Sequence, residues 1–247
     1  MVERQHRPVV TFFWSEPVAA GDQARLDDDP VRHARARRIT TGDPVRLVDG
    51  KGRVATGEIT GIAKRGVTVS VDGVVEIPRP VPLEVCVPVA DRDRMLTAAE
   101  KCVELQVTAW RPVYFARSRS VSPRGEGPKF AEKVKARMQA ALEQSGGAWM
   151  PDFYEEVEVA AVWDLAQPEW NRVVLEGRGR PLSRLVTSAS SVLAVGPEGG
   201  LERHELAAAE SRGWVAASLA TTTLRFETAV IAGAAVIRAM QLSLRGS

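Results

Sequence analysis

The chain reads as two unlike domains, a small β-barrel followed by an α/β domain with a mostly parallel sheet. Three observations predict this. Up to about residue 77, short β-branched runs alternate with turn residues. Ile77-Pro78-Arg79-Pro80-Val81-Pro82 then sets prolines at alternate positions, which favours a stiff, extended connector and forbids a helix. Beyond Leu83, apolar strands alternate with amphipathic helical segments, the pattern of a sheet covered on both faces. The expected boundaries are 1–76 for the barrel, 77–82 for the linker and 83–247 for the α/β domain.

In the first domain, residues 9–14, 44–48, 54–62 and 67–71 are expected strands, punctuated by Gly42-Asp43, Asp49-Gly50 and Arg65-Gly66. Asp49-Gly50 is expected to turn a hairpin, because both residues accept positive φ. Residues 30–39 carry charge at helical spacing and predict one short helix. In the second domain, residues 83–89 form an almost continuous apolar strand. A helix over 94–104 gathers Met95, Ala98, Ala99 and Cys102 on one face. A strand within 107–115 and a helix over 129–145 follow, then strands at 157–161, 172–176, 191–195 and 215–219, and an apolar-rich closing helix over 230–244. Residues 117–129 have no apolar period and read either as a mobile surface loop or as a basic loop that orders on RNA.

Composition bounds the function. Hydrophobic content of 45% and charged content of 26% describe a globular protein. No stretch approaches a membrane span, and the first residues lack the apolar core of a secretory signal. Cys86 and Cys102 therefore read as buried, reduced thiols of a cytoplasmic protein, with no disulfide. His6, His33 and His204 lack ligand spacing, so no metal is expected. The net charge of +2 hides arginine clustering. His33, Arg35, Arg37 and Arg38 share one short segment and predict a phosphate-contacting edge, for which guanidinium forks are suited.

The chemistry concentrates near the carboxy terminus. The apolar run Val192-Leu193-Ala194-Val195 enters Gly196-Pro197-Glu198-Gly199-Gly200 and then a polar–apolar stretch, a strand–loop–helix unit. Glycines there admit a ligand close to the backbone. The spacing is not the G-x-G-x-x-G of dinucleotide sites, and no phosphate-cradling G-x-x-x-x-G-K-[ST] occurs. About a helix and a strand later comes Leu219-Ala220-Thr221-Thr222-Thr223-Leu224-Arg225-Phe226-Glu227-Thr228-Ala229.

This pair of segments resembles the carboxy-terminal signature of the SPOUT methyltransferases, and within them the family that methylates N3 of a uridine in 16S ribosomal RNA of the small subunit. Further matches follow the family's order: His33 with Arg38, Gly42-Asp43, Asp49-Gly50-Lys51-Gly52, Lys101 with Glu104-Leu105, Pro112 with Arg117-Ser118, and Glu143-Gln144-Ser145. The resemblance implies a PUA-like barrel, a trefoil knot in the last third of the chain, a homodimer and S-adenosylmethionine as cofactor. It implies a cofactor pocket of Leu175, Val195, Gly196, Pro197, Glu198, Gly199, Gly200, Leu219, Thr223 and Leu224. Arg225 would stabilise charge on the uracil oxygens, with Glu198 and Glu227 as proton acceptors or orienters. Either glutamate could instead cap the helix that follows it. Lys101 and Arg117 join His33, Arg35, Arg37 and Arg38 as expected RNA contacts.

The chain departs from the family in three places. Gly146-Gly147 stand where an arginine is usual, Leu219-Ala220-Thr221 replaces Leu-Gly-Pro, and Phe226 replaces a small polar residue. Two alternatives stay open on sequence: a catalytically impaired RNA-binding or ribosome-assembly factor, and a tRNA ribose 2′-O-methyltransferase of the same superfamily.

Overall fold

The structure, a computed structural model, describes residues 9–26, 39–64, 66–120, 123–165 and 169–243. The helix expected over 30–39 lies, apart from Ile39, outside the described residues, as do His33, Arg35, Arg37 and Arg38. The chain divides into two units, residues 1–79 with 142–150, and residues 80–141 with 151–247.

In the first unit, β1 (Val10–Phe13), β2 (Gln23–Leu26), β3 (Pro44–Val48), β4 (Arg53–Ala63) and β5 (Gly66–Glu76) form one sheet in the order β1-β3-β4-β5-β2. β1 runs parallel to β3 and the other pairs are antiparallel. Phe12, Leu26, Leu47, Ile59 and Val69, one from each strand, share a single core. Both outer strands contribute, so the sheet curls around that core. β2 is absent from the sequence expectation: Gln23-Ala24-Arg25-Leu26 alternates correctly but carries no β-branched residue. The turn at 49–52 also differs. Gly50 and Gly52 take positive φ (71° and 98°) but Asp49 does not. Asp49 Oδ1 instead accepts from the N–H groups of Lys51 (2.7 Å) and Arg53 (3.0 Å), so the side chain builds the turn.

The second unit carries β6 (Leu83–Pro88), α1 (Arg92–Glu104), β7 (Ala109–Tyr114), most of α2 (Pro128–Ser145), β8 (Asp152–Phe153), β9 (Val157–Glu158), α3 (Val159–Val162), β10 (Asn171–Pro181), β11 (Ser191–Val195), α4 (Arg203–Ser211), β12 (Val215–Ser218) and α5 (Phe226–Ser243). Its sheet has the order β12-β10-β11-β6-β7-β8, with β9 also on β7, and every pairing is parallel. The last turn of α2 groups with the first unit. There Glu143 Oε1 accepts from Phe13 N–H (2.8 Å), and Gly146 ends the helix at φ 67° while its carbonyl accepts from Arg46 Nη1 (2.8 Å). Gly146 thus has a local task, while nothing in these contacts explains glycine rather than arginine at position 147.

The strand expected over 157–161 stops at Glu158, and residues 159–162 are helical. A short Val/Ala run reads equally as either. Tertiary packing decides: Val162 and Trp163 are buried, Trp163 stands edge-on to Trp214 at 5.0 Å, and Trp214 Nε1 donates to the Trp163 carbonyl (3.0 Å). α1 buries the four residues expected of it, and Asp91 caps it by accepting from the N–H groups of Asp93 and Arg94. α5 packs on α1, β6 and β11. Its buried Arg238 donates to the carbonyls of Val81 (2.9 Å), Leu105 (3.3 Å) and Gln106 (2.5 Å) and to Gln241 Oε1 (2.6 Å).

Candidate functional site

The far part of β10, from Leu175 to Arg178, and the loops that follow β11 and β12 converge near the carboxyl ends of adjacent parallel strands, where open α/β sheets bind their ligands. The loop expected after residue 176 is a continuation of the strand past its register shift. Central β11 is buried along its whole length and delivers the chain into Gly196-Pro197-Glu198-Gly199-Gly200. Gly200 sits at φ 70°, which L side chains resist, so the sharp turn into α4 depends on it. α4 is then capped reciprocally by Glu202 and Glu205. Buried Glu205 accepts from the Glu202 N–H (2.7 Å) with one oxygen and from the Ala116 N–H (2.8 Å) with the other. The helix cap is therefore made without Glu198.

A cavity of about 750 Å³ opens between these loops. All ten residues expected to contact cofactor line it: Leu175, Val195, Gly196, Pro197, Glu198, Gly199, Gly200, Leu219, Thr223 and Leu224. Buried Phe226 adds a further apolar wall. Ala220 lines the same cavity without positive φ, so this loop takes a course that needs no glycine at that position.

The residues expected to carry chemistry separate. Glu198 lines the cavity, whereas Arg225 and Glu227 lie beside it, flanking the lining residue Phe226. Arg225 is exposed, and its guanidinium makes no hydrogen bond or ion pair among the described residues. Glu227 turns toward Arg94 in the first turn of α1. The Arg94 guanidinium pairs with Glu198 Oε1 through Nη1 and lies 4.0 Å from Glu227 Oε1 through Nε. Glu227 Oε2 is buried with no hydrogen-bond partner among the described residues. One cation thus joins the glycine loop to the start of α5. Sequence reading missed Arg94, although a basic residue in a first helical turn opposes the helix dipole and signals a charge partner elsewhere.

The two described residues expected to meet RNA are engaged within the protein. Lys101 hydrogen-bonds Glu100 (2.8 Å) and Glu104 (2.7 Å), and these bonds push its ammonium pKa upward. Arg137 shares Glu100 at 3.0 Å. Arg117, in the 3₁₀ turn after β7, donates to the Gly199 carbonyl and lies 4.0 Å from Glu202, so it straps the glycine loop.

The family model of an RNA methyltransferase domain matches residues 78–238, and that of an RNA methyltransferase PUA domain matches residues 26–72. The chain is 28% identical over 217 residues to the ribosomal RNA small subunit methyltransferase E of Synechocystis sp., covering 83% of this chain and 69% of that protein. It is similar to the crystal structure of a ribosomal RNA small subunit methyltransferase E from Neisseria gonorrhoeae bound to S-adenosyl methionine, with a TM-score of 0.84 at 26% identity, covering 94% of this chain and 98% of that one. The fold also matches a Legionella pneumophila methyltransferase structure with bound SAM, at a TM-score of 0.81 and 22% identity, over 94% of this chain and 98% of that one. The methyltransferase match spans more than half of this chain and takes in every loop that lines the cavity: the chain belongs to the RNA methyltransferase family.

Proposed function

We propose that the protein transfers a methyl group from S-adenosylmethionine to N3 of a uridine in 16S ribosomal RNA of the small subunit, in the cytoplasm. The observation that carries this reading is that all ten expected cofactor residues line one cavity, in a chain similar to a structure bound to S-adenosyl methionine. The residues present suit that group: apolar side chains of Leu175, Val195, Leu219 and Leu224 offer walls for a nucleoside, and glycine-rich backbone offers amides and carbonyls to a base edge. When bound, the cofactor would supply an electrophilic methyl group, its sulfonium carbon–sulfur bond breaking to leave a neutral thioether as the bond to N3 forms.

The protein's own residues must then handle a proton and a developing charge. N3 of uracil loses its proton as the new N–C bond forms, and charge spreads onto O2 and O4. Arg225, beside the cavity and with no guanidinium partner among the described residues, stabilises those oxygens with its planar fork. Glu198 and Glu227 receive or orient the proton, held in register by Arg94. Two further features belong to this reading. One is the trefoil knot that the family resemblance implies for the last third of the chain; the return of α5 from the edge strand β12 to pack on β11 and β6 is in keeping with it. The protein acts as a homodimer, and His33, Arg35, Arg37 and Arg38, which lie outside the described residues, contact RNA phosphates.

Calorimetric titration with S-adenosylmethionine, followed by nucleoside mass spectrometry of small subunits incubated with protein and cofactor, tests the reading. Saturable binding and 3-methyluridine are expected. A 2′-O-methylated product would move the protein to ribose chemistry, and absence of cofactor binding by folded protein would make it a non-catalytic RNA-binding factor.

A further inference from the structure

Three arginines line the cavity, and only one of them is engaged. Arg117 is bonded to the glycine loop. The guanidinium groups of Arg178 and Arg203 make no hydrogen bond or ion pair among the described residues. The carboxylates that line the cavity are mostly committed. Glu176 accepts from the Arg178 backbone N–H (2.6 Å), Glu198 pairs with Arg94, and Glu202 lies against Arg117 and His204. Glu210 alone among the lining carboxylates has no such partner in the described residues. Two guanidinium groups, Arg178 and Arg203, and the Glu210 carboxylate are thus left without a hydrogen-bond or ion-pair partner among the described residues, and Glu176 keeps its charge beside them.

Arg178 also stands on a rigid base. It belongs to Glu176-Gly177-Arg178-Gly179-Arg180, the continuation of β10 past its register shift against β12. A Cβ on Gly179 would come within 2.5 Å of the backbone of Ala216 and Ala217. The segment therefore lies backbone on backbone against β12, with both flanking arginines exposed. Arg203 is the first residue of α4, fixed by the cap of Glu202 and Glu205. The backbone supports fix where the two guanidinium groups start from, their exposed side chains are free to turn toward an anion, and the planar donor fork of each suits phosphate oxygens.

We infer that Arg178 and Arg203 form a phosphate grip at the cofactor cavity, which holds the backbone of the substrate RNA strand while its base enters. The inference rests on the RNA methyltransferase reading above and adds the site where the catalytic unit itself holds its substrate. Lys101 and Arg117, the other described residues expected to contact RNA, carry ion pairs within the protein and are not part of this grip.

The test compares wild-type protein with R178Q/R203Q, using a fluorescein-labelled single-stranded uridine-containing RNA and, separately, S-adenosylmethionine. Each phosphate contact contributes about 0.7 to the slope of log affinity against log salt for single strands, so the double variant should lose about 1.4 of that slope. Between about 50 and about 200 mM salt, its RNA affinity should fall less steeply than wild type's, by a similar amount for RNAs of different sequence. Cofactor affinity should stay within about twofold. An unchanged salt slope would overturn the grip. Loss of cofactor affinity in the variant would also overturn it, by assigning the arginines to the cofactor's carboxylate. Failure of wild-type protein to bind either ligand would instead sink the methyltransferase reading, so the two failures are distinguishable.

Discussion

At the scale of single residues, Arg225 is the sharpest test. An arginine that merely anchored its loop would have a partner, and its guanidinium has none among the described residues. Arg225→Ala should therefore lower single-turnover rate by about a hundred- to a thousandfold while cofactor affinity and melting temperature hold. Arg225→Lys should restore little, because an ammonium cannot span two oxygens. A variant with normal rate would remove Arg225 from the mechanism. Arg117 should behave in the opposite way. Arg117→Ala frees the Gly199 carbonyl and should weaken cofactor binding by about fivefold, on the order of one hydrogen bond, with the RNA salt slope unchanged. The residues that line the cavity are legible through the family resemblance, which can be read because its two signature segments are each contiguous in the chain: Gly196 to Gly200, then Leu219 to Ala229. Arg94 and Arg178 are not, because their meaning comes from what stands opposite them. Arg94 is about a hundred residues before its first carboxylate partner, and Arg178 matters through a bond it does not make.

At the scale of elements, strands and helices in the second unit follow the apolar pattern closely, as in β11, where the expected and observed bounds coincide. The misses have one cause. β2, α3 and the far end of β10 are short or glycine-rich segments whose local signal is weak, and packing against Val67–Ser70, Trp214 and β12 respectively decides their form. Buried polar joints decide as much. Arg238 connects α5 to the entry of β6 and to the end of α1, where Gln106 is held at φ 55°. Arg238→Met would leave three carbonyls and Gln241 without their donor, and should cost about 3 kcal/mol or more. Thermal melts should show a fall of roughly 6 to 12 °C. A second joint carries a pH signature. Burial, and then the hydrogen bond to Glu126 at 2.9 Å, push the Tyr114 phenol up to about 12. The folded protein thus holds this proton more tightly than the unfolded chain, whose tyrosine titrates near ~10. The contribution to stability is whole below that pH and lost as pH rises through about 12. Urea melts should show that alkaline loss diminished in Tyr114→Phe; an identical loss in the variant would assign it to other groups.

At the scale of the whole molecule, the closing helix has more apolar surface than its own unit covers. Phe226, Ala229, Val230, Gly233, Ala234 and Ile237 are buried against the sheet and α1. Ile231 and Ala235 remain half-exposed, and Leu242 is 63% exposed. These three recur at four- and seven-residue intervals and so fall along one stripe of the helix. An exposed apolar stripe next to polar surface is the mark of an interface, and a two-fold axis would set the same stripe of a second copy against it. Light scattering at micromolar concentration should give twice the chain mass of 26.8 kDa. Ile231→Glu with Leu242→Glu places like charges face to face across such an axis, and should yield monomers at the same concentration. If the cofactor loops draw order from the partner, those monomers should also bind S-adenosylmethionine more weakly, because Phe226 and Ala229 of the same helix line the cavity. Monomers that retain full cofactor affinity would separate assembly from the site. A wild-type protein of single-chain mass would reject the interface itself, and the stripe would then stand as solvated surface.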